Sequence, residues 1–308
     1  MKQIIQTKKE AWLHSIRLRT LPLALASIFA GSFLAAYKEV FRWEILVFAA
    51  FTTTFLQILS NLANDYGDSI HGADHLERRG PIRAVQSGLI SLAEMKKAMY
   101  LIGFLSLVCG VILLYLSVQS WILFFVFLLL GFAAIWAAVS YTSGSKPYGY
   151  AGLGDISVFL FFGLLGVIGT FFLHSLDWEL SALLIGVALG LFSTTVLNVN
   201  NIRDIDSDRT AGKKSIPVRI GKSAAVRYNW FLILGGNFCL LLFVLKTHQY
   251  YSLLALLSLP LMLKVGFGVQ RSSSSEEVDS YLKIMALSTL LWTMLFGIGL
   301  VFLGKSFE

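Results

Sequence analysis

The sequence predicts an all-α fold, a polytopic membrane protein of nine transmembrane helices, on three observations. Of 308 residues, 56% are hydrophobic and 14% charged, against about 25% charged in an ordinary soluble domain. Apolar runs of roughly 17 to 23 residues recur between polar breaks, close to the ~20 that carry a helix across a ~30 Å hydrocarbon core. Basic residues alternate in density from one break to the next, as in a chain threaded through a membrane. Lipid offers an exposed backbone no hydrogen-bond partner, so each run is expected to close its own bonds as a helix.

The first run, residues 21–37, follows a mostly polar segment and is succeeded by many more, so it is expected to be retained rather than removed as a leader. The second, 44–63, ends in a polar cluster of Asn61, Asn64, Asp65 and Asp68 and opens into a long loop. The third and fourth, 98–118 and 121–141, are separated by a short turn. The fifth, 154–173, carries Gly163, Gly166 and Gly169, a spacing that permits close helix approach. The sixth, 180–199, ends like the second, in Asn200, Asn201, Arg203, Asp204, Asp206 and Asp208, and a second long polar loop follows. Runs at 228–245, 250–267 and 283–304 complete the set. Cys109 and Cys239 stand alone inside apolar runs and indicate neither a disulfide nor a thiol site. Residues 1–308 are expected to form one domain, in which the recurring acidic ends suggest a weak internal duplication.

With the N-terminus inside, the inner segments hold Lys2, Lys8, Lys9, Arg17 and Arg19, then Arg78, Arg79, Arg83, Lys96 and Lys97, then Lys146, then the basic stretch 203–227. Outer turns keep only Lys38, Arg42, Lys246 and Lys305. The net charge of +7 therefore follows topology, and no nucleic-acid partner is indicated. Both acidic segments follow an even-numbered run, so both face the cytoplasm and can face one another. The long inner loops are rich in Gly and Pro (Gly72, Gly80, Pro81, Gly88, Gly212, Pro217 and Gly221), which favours ordered turns over disorder.

An Asp near a bilayer centre costs roughly 2.5 to 3.5 kcal/mol on insertion scales, so such clusters belong at an edge, in a cavity, or around a cation. On a helix, Asn61, Asn64 and Asp68 share one face, and Asn201, Asp204 and Asp208 repeat the spacing. Oxygen-only donors select a hard cation and favour Mg²⁺ over zinc. His71 and His75 lie four apart, but Gly72 interrupts the helix between them, and both are expected to be solvated. Asp74 is expected to approach the first cluster from the loop.

Mg²⁺ held by Asp68 and Asp204 would bridge the protein to a diphosphate, with Arg78, Arg79, Arg83, Arg203, Arg209, Lys213 and Lys214 supplying phosphate donors. A diphosphate site at the membrane surface suits an isoprenyl diphosphate whose tail stays in lipid. Loss of the diphosphate leaves an allylic cation able to attack an electron-rich ring, and Trp136, Tyr141, Phe159, Phe161 and Phe162 are expected to steady it through their faces.

The four-residue spacings of Asn64 with Asp68 and of Asp204 with Asp208 resemble the two signature segments of the UbiA superfamily of membrane prenyltransferases. Further motifs are similar to its 1,4-dihydroxy-2-naphthoate polyprenyltransferases: Arg17, Arg19 and Pro22; Gly80, Arg83, Gln86 and Gly88; Tyr141, Lys146, Tyr148, Tyr150 and Asp155; and Asn200 through Lys213. The resemblance implies nine helices around a central cavity open to the cytoplasmic side of a bacterial inner membrane. It also implies a Mg²⁺-dependent transfer of a polyprenyl group from polyprenyl diphosphate to 1,4-dihydroxy-2-naphthoate, with loss of CO₂ and diphosphate, giving demethylmenaquinone. Carried over residue by residue, Asn64, Asp68, Asp74, Asp204 and Asp208 are expected to hold metal, with Asp68, Asp204, Asp208, Tyr141 and Lys146 catalytic. Asn64, Asn200, Arg83, Arg203 and Lys213 are expected at the diphosphate, and Arg17 or Arg19 at the acceptor's carboxylate. The chain departs from the pattern at Gly72, where many members have a third Asp that only Asp74 approximates, and at Ser215, where a Thr is expected.

Two competing readings follow. The same fold and chemistry with hydroxybenzoate, homogentisate or haem as acceptor would differ only in pocket shape. A cation transporter would need polar residues along its whole depth, whereas both acidic clusters here lie on one side.

Overall fold

The computed structural model describes residues 7–70, 84–144 and 147–304. Among these, nine helices are long and apolar enough to cross a membrane: α1 (Lys8–Tyr37), α2 (Trp43–Ile70), α3 (Leu92–Ser117), α4 (Trp121–Ser140), α5 (Gly154–Ser175), α6 (Leu180–Arg203), α7 (Lys222–Thr247), α8 (Tyr250–Arg271) and α9 (Ser275–Leu303). The expected number holds, but several helices outrun their apolar stretches. α2 continues through the acidic cluster to Ile70, α6 reaches Arg203, and α9 begins at Ser275 rather than near residue 283. Hydropathy marks only the lipid-facing length; the polar last turns persist because their side chains find partners. Asn61, for example, donates to the Ile16 carbonyl (2.9 Å) and Thr20 Oγ1 (3.1 Å).

Local signals set the ends. Ser91 and Glu94 form a capping box that starts α3, and Ser274 caps α9 through the Glu277 amide. α1 is broken where Arg17 adopts a left-handed conformation (φ 53°), a position a side chain accepts at about 1–2 kcal/mol. The break separates a short surface helix, Lys8–Ile16, from the segment Leu21–Tyr37, whose Pro22 occupies the permissive first turn.

α6 is the packing centre, touching α1, α5, α7 and α9, and 61% of its apolar window is buried against 11% for α4, which is left to lipid. α5 winds as a π-helix over Phe159–Gly169. That widened stretch releases carbonyls from the usual ladder, and Ser27 of α1 donates to one of them, at Phe162. Gly163 brings α5 against Gly186 and Gly190 of α6; a β-carbon there would lie 2.6 Å from the Gly186 oxygen and the Gly190 α-carbon. α5 and α6 thus form one thin wall, as the glycine spacing suggests.

Gly163→Leu should push α5 off α6 and destabilise the protein by about 1–3 kcal/mol or more, an overpacking effect. Thermal unfolding in detergent checks this, with Gly169→Leu, where nothing closer than 3.6 Å meets a β-carbon, as the tolerated comparison.

Candidate functional site

α1 to α6 and the start of α9 enclose a cavity of about 440 Å³. Its shaft is apolar, lined by Leu23, Ile28, Leu114, Phe127, Leu165 and Leu173, and its neck is polar. Both predicted triads line that neck: Asn61, Asn64 and Asp68 from α2, and Asn201, Asp204 and Asp208 from the end of α6 and the helix after it, Ile205–Thr210. Helix geometry gives the reason for the first triad, whose three-plus-four spacing keeps it on one face of α2, whereas the second crosses the break at Asp204, where the Asp208 N–H still reaches the Asp204 carbonyl (2.8 Å).

The two acidic segments meet through Lys213. Its ammonium lies 3.1 Å from Asp68 Oδ1 and 3.8 Å from Asp208 Oδ1, above the Tyr150 ring at 4.6 Å. Backbone geometry puts it there. After Ile205–Thr210 the chain turns at Gly212 (φ +72°), Lys213 N–H returns to the Asp208 carbonyl (2.8 Å), and Lys214 N–H ties the turn to the Tyr150 carbonyl (2.9 Å). The Tyr150 hydroxyl donates to Asp68 Oδ1 (2.6 Å), Ser215 to Asp208 Oδ2 (3.5 Å), and Thr142 to Asn64 Oδ1 (2.8 Å). Gly67 lets α2 press against this loop, because a β-carbon there would sit 2.4 Å from the Thr142 oxygen.

Tyr141 also lines the cavity, edge-on to Tyr148 at 5.3 Å. Burial pushes its phenol up, and the neighbouring Tyr148 and the carboxylates of Asp155, Asp208 and Asp68 add to the rise, so it stays a protonated donor at neutral pH. Burial raises Tyr148 likewise, opposed by its hydrogen bond with Ser157.

Other expected residues sit differently. Arg203 is absent from the lining: its guanidinium grips both oxygens of Asp204 (2.8 and 2.5 Å), reaches Asn200 Oδ1 (2.8 Å), and pairs with Asp279 of α9. Arg17 lines the neck but pairs with Asp65 (3.0 Å), which Ser15 also meets (2.9 Å). Arg19 lines it too and pairs with Asp279 (3.3 Å). Arg209 and Lys214 are exposed and away from the lining, so Lys213 is the cation of its loop that enters the cavity. Asp74, Arg83, Lys146, His71, His75, Arg78 and Arg79 lie outside the described residues.

Of the five aromatics expected around a cation, Tyr141, Phe161 and Phe162 line the cavity, but Trp136 and Phe159 do not. Trp136 is 67% exposed and stacks on Tyr148 from the lipid side, because the cavity face of α4 runs through Ala134, Ile135 and Ala138. Phe159 turns outward in the π-helical winding and packs on Gly190. Sequence reasoning missed Thr142, Asp279 and the role of Tyr150. Only the last carried a signal, as one of several tyrosines in an otherwise polar loop.

Among the described residues, no three His, Cys, Asp or Glu side chains form a metal-binding group. The donors at the neck nonetheless suit a hard divalent cation: all are oxygens, from Asn64, Asp68, Asp204 and Asp208. The Lys213 ammonium marks a cation position between two of them.

A profile of the UbiA prenyltransferase family matches residues 24–293. The chain is 41% identical over 295 residues to a 1,4-dihydroxy-2-naphthoate octaprenyltransferase of Escherichia coli, covering 96% of both chains. It is 42% identical over 305 residues to the Haemophilus influenzae protein of the same name, covering 97% of this chain and 98% of that one. Its fold matches a UbiA homolog from Archaeoglobus fulgidus bound to GPP and Mg²⁺, with a TM-score of 0.65 at 16% identity over 93% of this chain and 99% of the other. An apo UbiA homolog from Aeropyrum pernix matches with the same TM-score at 17% identity, over 93% and 98%.

Arg203→Met leaves the buried Asp204 carboxylate without its counter-charge and should destabilise the protein by about 3–5 kcal/mol. Asp279→Asn should have a smaller effect, because that side chain is 31% exposed and water takes over. Thermal unfolding of both variants in detergent checks the order; equal stability of Arg203→Met and the parent would contradict it.

Proposed function

The chain belongs to the UbiA prenyltransferase family, and we propose that it transfers a polyprenyl group from polyprenyl diphosphate to 1,4-dihydroxy-2-naphthoate. CO₂ and diphosphate leave, and the product is the hydroquinone form of demethylmenaquinone, demethylmenaquinol. The observation that carries the diphosphate half is the meeting of Asp68 of α2 and Asp208 of the short helix after α6 on one ammonium at the polar end of an apolar cavity. The acceptor rests on likeness along nearly the whole chain to two naphthoate octaprenyltransferases. Residues 1–308 act as one domain in a bacterial inner membrane, with the N-terminus and the neck on the cytoplasmic side, where the basic loops gather.

Asn64, Asp68, Asp204 and Asp208 would hold Mg²⁺ at the neck. When bound, the cation offsets the charge of the departing diphosphate. Lys213 swings from the carboxylates to the phosphate oxygens, and Asn200 adds an amide donor. Arg203 acts at one remove, fixing Asp204 and Asn200. The tail follows α5 down the shaft from Asp155 to Leu173. The apolar walls shut out water, so the allylic carbon meets the acceptor ring rather than solvent. Tyr141, Phe161 and Phe162 turn ring faces and a phenol toward that carbon. Arg17 or Arg19 releases its carboxylate partner to meet the acceptor's.

Purified protein in detergent, given dihydroxynaphthoate, a polyprenyl diphosphate and Mg²⁺, should form prenylated product and release pyrophosphate, and chelation of the metal should stop both. Asp68→Ala should abolish turnover, and Lys213→Met should lower kcat about 10²- to 10³-fold, the scale for one electrostatic donor. Membrane insertion should survive in each variant. Absence of product by mass spectrometry across the candidate acceptors would overturn the proposal.

A further inference from the structure

Asp155, the second residue of α5, is a carboxylate with no part in metal or diphosphate binding as described above. It lines the cavity wall and is 8% exposed. The Tyr228 phenol, on α7 and outside the lining, is its polar neighbour, while Oδ2 has no hydrogen-bond partner. A buried carboxylate oxygen left unmatched is costly, and a donor entering the cavity relieves it once the carboxyl group turns toward the lining.

Its depth is informative. At the adjoining Gly154 a β-carbon would come within 2.6 Å of Tyr141 Oη and 3.2 Å of Leu197 Cδ2. Leu197 lies seven residues before Asp204 on α6, about 10 Å deeper along the helix. Asp155 therefore stands below the polar neck, at the level where the carbon bonded to a diphosphate held in that neck would lie.

We propose that Asp155 is a catalytic residue that accepts the hydroxyl proton of the aromatic acceptor. This rests on the prenyl-transfer reading above and adds a base to it. The acceptor's O–H bond breaks, its proton goes to the Asp155 carboxylate, and its electron pair enriches the ring. A ring carbon then bonds to the allylic carbon as the carbon–oxygen bond to diphosphate breaks, and diphosphate leaves with that pair. Loss of CO₂, or of a proton to water, restores aromaticity, and the phenolate retakes its proton from Asp155. The broad terminal torsion of an Asp lets either oxygen turn to the hydroxyl.

The test compares the parent protein with Asp155→Asn and Asp155→Glu at saturating polyprenyl diphosphate. The acceptors are dihydroxynaphthoate, a ring-fluorinated counterpart with a more acidic hydroxyl, and its two mono-methyl ethers. With dihydroxynaphthoate, Asp155→Asn should lose about 10²- to 10⁴-fold in kcat, the range for a positioned base. The deficit should narrow at least tenfold with the fluorinated acceptor, Asp155→Glu should recover part of it, and KM for the prenyl diphosphate should not move. The parent should discriminate against one methyl ether by a similar factor, a comparison that needs no variant to fold. Equal deficits with both acceptors, full activity of Asp155→Asn, or parental rates on both ethers would overturn the role. A parent that prenylates none of the acceptors would overturn the proposed function itself, and Asp155's role with it.

Discussion

Asp68 and Asp208 come from helices that are not packing neighbours, yet both approach the ammonium of Lys213. Carboxylates in a membrane protein repel one another more strongly than in water, and each needs compensation before the helix that carries it can insert. The neck meets this need with groups from a third place, the 140–154 loop, whose Tyr150 gives Asp68 a hydroxyl and Lys213 a ring to rest on. Removing any one of these three parts leaves the other two mismatched. The polar turns of α2 and α6 can therefore continue as helix past their apolar lengths, and the cavity between them stays open.

The same demand explains where the basic residues went. Arginines expected from the sequence to meet ligands, Arg203 the diphosphate and Arg17 or Arg19 the acceptor, are occupied by acids: Arg17 by Asp65, Arg19 by Asp279, and Arg203 by Asp204 and Asp279. Asp279 joins α9 to both the break in α1 and the end of α6, so this rim works as a brace around the neck. Positive charge around the neck thus divides into two kinds. Lys213 is held loosely enough, at 3.1 and 3.8 Å, to change partners, whereas Arg203 is locked by four polar contacts across three acceptor residues.

Much of this was legible in the sequence for physical reasons. Nine apolar runs of spanning length fix nine helices, because lipid allows no other backbone solution for them. Loop parity brought the acidic ends to one side, and spacing brought Asn64 with Asp68 and Asp204 with Asp208 to one face. What resisted depends on rotation and long-range pairing. Trp136 and Ala134 are two residues apart on α4, and hydropathy cannot say which one meets lipid when the whole helix is apolar. Phe159 escaped because its ring is taken up by Gly190 of α6, a contact that no local pattern reveals. Arg203 was assigned to the ligand because its partner Asp279 lies 76 positions away.

The thinness of the α5–α6 wall bears directly on the chemistry at its polar end. Gly163, Gly186 and Gly190 remove the side chains that would fill the space between the two helices, so backbone packs on backbone and the wall keeps little freedom to shift. α5 then delivers Asp155, Phe161 and Phe162 to the cavity from a rigid support, while Lys213, which on the proposed reading changes partners, hangs from the turn at Gly212. A site that must orient a ring against a short-lived cation needs its walls fixed and its phosphate grip adjustable, and the chain separates the two tasks by placing one on packed glycine faces and the other on a loop.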